Sequence, residues 1–148
     1  MQSPHAVCAA VVISLLTVVS AQSKPNFSGK WMTEFVRTTG GSGLGVEITI
    51  RQNDTTLTLE LSPAGTPPTV QRLSYALDGT ESKNSTIGSD GSADERSRVA
   101  WSGSTLVITT KTRSGEQKRT FDLDGPNLAI RTSLSGSQSK ALVYQRAR

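Results

Sequence analysis

The residues that most often do covalent or metal chemistry are scarce in this chain and lie at one end of it. The single histidine is His5 and the single cysteine is Cys8. If residues 1–21 are removed during export, the remaining chain contains neither type. No Ser-His-Asp or Cys-His nucleophile system could then form. Zinc or haem sites built on His or Cys are excluded as well, and so are disulfides.

Residues 1–21 have the pattern of a secretory signal peptide. Only Ser14 and Thr17 interrupt the apolar run over residues 6–19. This run is shorter than the ~20 residues that span a bilayer. Val19-Ser20-Ala21 places small residues at the −3 and −1 positions of a cleavage site before Gln22. We therefore expect one mature domain, residues 22–148, that is secreted or periplasmic and has no stable membrane insertion.

One acidic segment has part of the spacing of a calcium-binding loop. Asp90, Ser92 and Asp94 occupy the first three ligand positions. Glu95 then stands where such a loop needs glycine, and Trp101 stands where it needs a bidentate glutamate. The match fails, so we predict no metal site and no cofactor.

Two further patterns also lack the chemistry that they suggest. The glycine-rich residues 40–45 lack the Gly-Lys-Ser/Thr ending of a phosphate loop and precede a predicted strand, not a helix. Asp122 and Asp124 share a strand face, but it is opposite to the face of Phe121 and Leu123. Both carboxylates should therefore be solvated. We predict a protein without catalytic activity.

The chain carries 16 lysines and arginines against 12 acidic residues, a net charge of +4. The densest basic cluster, Lys111, Arg113, Lys118 and Arg119, surrounds the Ser114-Gly115 turn signal. No aromatic residues are interleaved with it, as they would be on a single-strand-binding surface. We interpret the cluster as a solvated hairpin and predict no nucleic-acid binding.

The elements that must position the remaining polar groups are β-strands. Ser, Thr and Gly supply more than a third of residues 22–148, and turn signals recur every ~8–12 residues, one of them over residues 88–94. Between the turns, apolar residues alternate with polar ones, which places each apolar set on one face of a strand. The pattern predicts nine or ten short antiparallel strands. The clearest sets are Val46, Ile48 and Ile50; Leu57, Leu59 and Leu61; Leu73, Tyr75 and Leu77; and Leu142 and Tyr144.

Several motifs resemble the calycin group, the lipocalins and fatty-acid-binding proteins. They are the opening Phe27-Ser28-Gly29-Lys30-Trp31, the turn at residues 75–79, the hairpin at 101–108 and the last strand at 142–146. The resemblance implies an all-β fold, an up-and-down antiparallel β-barrel of about 8–10 strands, lipocalin-like. It also implies that Trp31 packs at the closed end against an arginine from a late strand. The candidates for that arginine are Arg119, Arg131 and Arg146.

The chain departs from the fatty-acid-binding proteins at two places. Those proteins hold a carboxylate with an Arg-x-Tyr pair on the last strand. Here Tyr144 matches the tyrosine, but Leu142 stands in place of the arginine. Only the glycine-rich residues 38–45 are available where those proteins place two helices over the barrel mouth. Fatty-acid binding therefore does not transfer directly.

The candidate ligand-binding residues are Tyr75, Trp101, Arg119 and Tyr144. All four lie on predicted inward faces, as does Phe35. Buried tyrosine and tryptophan need a hydrogen-bond partner, so a ligand and a satisfied core both account for them. Arg119 has three interpretations: an anion anchor in the lumen, the clamp on Trp31, or an exposed strand end.

These residues lead to one functional prediction and one alternative. We predict a monomeric, non-catalytic barrel that binds a small hydrophobic or amphipathic molecule in its interior. The alternative is a self-filled barrel that acts as an interaction module for a protein or an envelope surface, for example an inhibitor of an exported protease. A barrel of this size can hold one small ligand or fill itself with side chains.

Overall fold

A computed structural model describes residues 23–33, 44–62, 70–88, 91–138 and 141–148. The predicted leader and Phe35 lie outside these residues. Every regular element in the described ranges is a β-strand, and those ranges hold no helix able to cross a membrane. The strands are β1 (Gly29–Met32), β2 (Glu47–Gln52), β3 (Thr56–Ser62), β4 (Gln71–Ala76), β5 (Ser82–Gly88), β6 (Gly91–Ser102), β7 (Thr105–Thr112), β8 (Gly115–Asp124), β9 (Asn127–Leu134), β10 (Ser137–Gln138) and β11 (Leu142–Arg146).

Alternation of apolar and polar residues produces these strands, as predicted. In β3, Leu57, Leu59 and Leu61 are buried, while Thr58 and Glu60 between them are partly exposed. Successive side chains of a strand point to opposite faces, so each apolar set turns to one common interior. Burying such a leucine contributes about 1.5–3 kcal/mol.

The strands pair with their sequence neighbours around an up-and-down barrel. The order of hydrogen-bonded neighbours is β4-β3-β2-β1-β11-β9-β8-β7-β6-β5, and all pairs are antiparallel. Both β10 and β11 pair with β9, so the two short strands share one position in the sheet. The predicted all-β, up-and-down barrel is confirmed.

The sequence prediction of a turn over residues 88–94 is wrong for most of that segment. Strand β6 already begins at Gly91, and it pairs with β5 from Gly88↔Gly91 to Ser82↔Ser97. This hairpin contains Gly, Ser and Asp, which are typical of turns, and it lacks the alternating apolar residues that reveal the other strands. Cross-strand backbone pairing nevertheless extends the hairpin to its tip.

A seam lies between β4 and β5, where side chains take the place of a backbone ladder. Asn84 Oδ1 accepts a hydrogen bond from Ser74 N at 2.7 Å, and Asn84 Nδ2 donates to Ser74 O at 3.0 Å. Ser82 Oγ accepts from Ala76 N at 2.8 Å. The amide of Asn84 presents the same donor and acceptor as a peptide group, so it satisfies one residue of the facing strand.

The closed end of the barrel is built around Trp31. Its side chain is fully buried, and its Nε1 donates to Phe27 O at 2.9 Å. Arg146 Cζ lies 4.5 Å from the centroid of the Trp31 ring, and Arg146 Nη1 donates to Ser28 O at 3.1 Å. A Cβ atom at Gly29 would lie 2.7 Å from Arg146 Nη1. Glycine at this position therefore leaves the space that the guanidinium occupies.

The structure selects one of the three arginines proposed for the clamp. Arg146 lies directly opposite Trp31 in the β1–β11 register. Arg131 instead forms an ion pair with Asp122 (Nη1–Oδ2, 3.5 Å), and more than half of the Arg131 side chain is exposed. Arg119 enters the interior from β8.

Candidate functional site

The barrel interior has two walls of different chemistry. Strands β2 to β4 supply an apolar wall. Strands β5 to β9 supply apolar residues near the closed end and several polar residues farther from it. The apolar wall consists of Ile48, Ile50, Leu57, Leu59, Leu61 and Leu73, and the buried polar residues facing it are Asn84, Ser97, Thr110 and Thr132.

The polar wall is connected by cross-strand contacts. Ser97 Oγ and Thr110 Oγ1 lie 2.8 Å apart in a buried hydrogen bond between β6 and β7. Glu95 shares the inward face of Ser97, two residues earlier, and lies directly opposite the buried Asn84. Thr132 on β9 lies opposite Arg119. Hydroxyl, carboxylate and guanidinium groups thus line one side of the lumen.

Arg119 and Tyr75 meet across the interior, and they form the centre of the candidate site. Arg119 lies opposite the buried Ile108 in β7, and its Nε atom is shielded from solvent. Its guanidinium lies close enough to the hydroxyl of Tyr75, which is only 3% exposed, for its charge to act on that group. An arginine brought into an apolar lumen is suited to binding a carboxylate or another acceptor. The structure therefore supports the inward position of Arg119.

The protonation of Tyr75 reflects this environment. Burial raises the pKa of the Tyr75 hydroxyl, the Arg119 charge opposes that rise, and the Glu95 carboxylate adds to it. The net direction is upward, so the hydroxyl stays neutral at physiological pH. A neutral hydroxyl can both donate and accept a hydrogen bond.

This raised pKa predicts a specific loss of stability in alkali. A group whose pKa is higher in the folded state stabilises the fold below its unfolded pKa, about 10 for tyrosine, and this contribution is lost as the pH rises through the folded pKa. We expect the free energy of unfolding in urea to fall more steeply between pH 9 and 12 in the wild type than in Tyr75→Phe. Tyr144→Phe, which keeps Tyr75, is the control. Equal slopes for the wild type and Tyr75→Phe would contradict the expectation.

The structure places Tyr144 differently from Tyr75. Its side chain is fully buried, and its hydroxyl donates to Gly45 O at 3.0 Å. The sequence predicted that a buried hydroxyl here would need a partner, and a backbone carbonyl supplies it. Tyr144 thereby ties β11 to the residues that precede β2.

Trp101 lies toward the closed end, away from the polar wall. Its ring stacks on Phe27 with centroids 6.1 Å apart and planes 11° apart, and Lys24 Nζ lies 5.4 Å from its centroid. One edge of Trp101 lines an outer cleft of about 360 Å³ together with Lys24, Asn26 and Asp54. Trp101 therefore belongs to the floor of the barrel.

Of the four residues predicted from sequence, the structure brings Tyr75 and Arg119 together and places Trp101 and Tyr144 elsewhere. Sequence reasoning missed Glu95, Ser97, Thr110 and Thr132. The sequence contained a signal for two of them. Glu95 and Ser97 lie four and two residues before Val99 in the alternating pattern that Val99 and Trp101 share, so all four face the same side of the strand. The prediction relied on apolar alternation and therefore overlooked a polar inward face.

No cluster of three metal-ligating side chains occurs among the described residues. Asp94, from the failed calcium pattern, accepts a hydrogen bond from Ser85 Oγ at 2.7 Å on the outer face. Asp122 accepts from Thr105 Oγ1 as well as pairing with Arg131. These carboxylates therefore have structural partners.

Comparison with known proteins identifies the fold. No protein-family profile matches the chain, and no curated protein sequence matches it. Among solved structures, the fluorescent protein UnaG has a TM-score of 0.63 at 19% identity, covering 82% of this chain and 97% of UnaG. A mutant of the REP1-NXSQ fatty acid transporter has a TM-score of 0.62 at 12% identity, covering 81% and 97%. The resemblance to the calycin group is thus confirmed for the fold: the barrel is of the fatty-acid-binding-protein type.

Proposed function

We propose that the mature chain is a non-catalytic, monomeric barrel that binds one small amphipathic molecule in its interior. Its proposed setting is outside the cytoplasm, secreted or periplasmic, because residues 1–21 have the pattern of a signal peptide. One of the similar structures is described as a fatty acid transporter, which is in line with binding of this kind. The observation that carries the proposal is the placement of Arg119 near the buried Tyr75 hydroxyl, between an apolar wall and a polar wall of the barrel.

The two walls of the interior indicate the shape of the ligand. Leucines and isoleucines of β2 to β4 offer an apolar surface to a hydrocarbon body, and the hydroxyls of β6, β7 and β9 offer hydrogen bonds to a polar end. Ligand sites generally combine a mostly apolar lining with a few polar groups that fix orientation. A molecule apolar along its length and polar at one end matches this arrangement.

The charge of Arg119 indicates which chemical group the polar end of the ligand carries. Leu142 removes the arginine that fatty-acid-binding proteins place on the last strand, so Arg119 is the described cation that faces the lumen beside Tyr75. Its guanidinium donates hydrogen bonds only, and a carboxylate is its best partner. The nearby Glu95 opposes a second negative charge, which favours a ligand with a single acidic group.

Displacement of a fluorescent probe tests this proposal. We expect anilinonaphthalene sulfonate to bind the wild type, and oleate to displace it. Arg119→Gln should weaken oleate binding roughly tenfold or more, because a hydrogen bond to a charged group contributes ~1.5–3 kcal/mol. The same variant should change the binding of oleyl alcohol much less. Arg131→Gln, which removes an exposed arginine from the neighbouring strand, is the matched control.

Two tyrosine variants sharpen the test. Tyr75→Phe should weaken oleate binding, because it removes the buried hydroxyl that lies near Arg119 and can donate a hydrogen bond to the carboxylate. Tyr144→Phe should not, because its hydroxyl is bonded to Gly45 O. If the wild type binds no apolar probe, the barrel is self-filled and the ligand proposal is wrong. If Arg119→Gln and Arg131→Gln behave alike, the polar end is bound elsewhere.

A further inference from the structure

The outer surface of β5 to β8 carries cations that the strand register brings side by side. Lys83 lies directly opposite Arg96, and Arg96 lies directly opposite Lys111. Arg98 and Lys118 face outward on the next row, both opposite Thr109. We call these five residues the basic face. Arg119, which belongs to the basic cluster in sequence, is not part of it because it turns into the lumen.

Like charges directly opposite each other destabilise a sheet, whereas opposite charges stabilise it. The other side of the same barrel follows the favourable pattern: Glu60 lies opposite Arg72, and their side chains are 2.8 Å apart. Arg51 Nη2 also lies 3.8 Å from Glu60. The row of Lys83, Arg96 and Lys111 contains two like-charged pairs, and only at its β8 end does an acidic residue, Glu116, lie opposite Lys111. The two like-charged pairs do not stabilise the sheet, which points to a partner for these cations.

The two arginines of the basic face form ion pairs and its three lysines do not, although Glu116 lies opposite Lys111 in the strand register. Glu81 contacts Arg96 at 3.1 Å and Arg98 at 4.0 Å. No carboxylate among the residues that the structure describes lies within ion-pair distance of Lys83, Lys111 or Lys118. Three ammonium groups on one face are thus available to an external anion.

We propose that the basic face binds a linear anionic polysaccharide. The row crosses three strands spaced ~4.8 Å apart, so its charges follow a line to which a flexible polymer can conform. The exposed large apolar side chains of the described residues, Met32, Val70, Leu123, Leu134 and Val143, lie outside β5 to β7 and outside the middle of β8. None of these exposed apolar side chains lies beside the basic face to insert into a bilayer, and none of the five residues of the face is an aromatic on which a nucleobase can stack.

Heparin, a linear sulfated polysaccharide, serves as the probe. We expect the protein to bind heparin at low salt and the triple variant Lys83→Gln, Lys111→Gln, Lys118→Gln to bind roughly tenfold more weakly or worse, with a smaller dependence on salt. The control triple Lys30→Gln, Arg51→Gln, Arg72→Gln removes the same charge from the opposite side and should change binding less than about threefold. Thermal unfolding of the first variant should occur no lower than in the wild type, since like charges are removed.

Several outcomes would overturn the proposal. Equal weakening by the two triple variants would mean that heparin senses net charge alone. Tighter binding to phosphatidylglycerol vesicles or to duplex DNA than to heparin, at equal concentration of negative charge, would assign the face to another class of partner. Absence of heparin binding by the wild type would also refute it. None of these outcomes bears on the ligand in the lumen.

Discussion

Trp31→Ala is expected to destabilise the protein by about 3–5 kcal/mol, the usual range for removing a buried aromatic side chain. Trp31 is fully buried at the closed end. Its loss leaves a cavity, removes the donor to Phe27 O and takes away the ring over which Arg146 lies. Because a domain has only ~5–15 kcal/mol of stability, this single change removes a large fraction of it.

Urea unfolding at neutral pH measures this loss, and Trp101→Ala provides a control of the same residue type. Trp101 is only partly buried and lines the outer cleft, so its removal leaves less of a cavity. We expect Trp101→Ala to cost clearly less than Trp31→Ala. If the two variants lose equal stability, Trp31 is not the centre of the closed end.

The Gly-x-Trp motif shows how far sequence reasoning reaches in this protein. It correctly placed Trp31 at the closed end and required a late arginine. It left three arginines open, because the choice depends on which residue of β11 lies opposite Trp31. That register follows from the pairing of the first and last strands, which are distant in sequence. Local patterns do not contain this information.

The candidate site was predicted only in part for a related reason. Tyr75 and Arg119 stand out as bulky or charged residues on apolar strand faces, so alternation identified them. Their contact spans the barrel from β4 to β8 and depends on closure. Glu95 and Ser97 lie in a strand whose polar composition is typical of a turn, and burial of a polar inward face requires partners from other strands.

The seam between β4 and β5 is the second place where one side chain has a large expected effect. Asn84→Ala is expected to reduce the free energy of unfolding by about 2–4 kcal/mol, because it leaves both Ser74 N and Ser74 O without their partner and each such loss costs ~1–3 kcal/mol. Asn84 is 9% exposed, so water replaces these bonds poorly. Ser85→Ala, one residue later on the exposed face, removes only a hydrogen bond to Asp94 and should cost less than about 1 kcal/mol.

Amide hydrogen exchange locates the effect of Asn84 on the seam. In Asn84→Ala, the Ser74 amide should lose protection first, whereas the Ala76 amide, bonded to Ser82 Oγ, should keep more of it. Asn84→Leu separates hydrogen bonding from packing, because leucine has the same number of side-chain heavy atoms and the same branch at Cγ but offers no donor or acceptor. We expect it to be as unstable as Asn84→Ala. Wild-type stability of Asn84→Leu would show instead that packing, without these hydrogen bonds, holds β4 against β5.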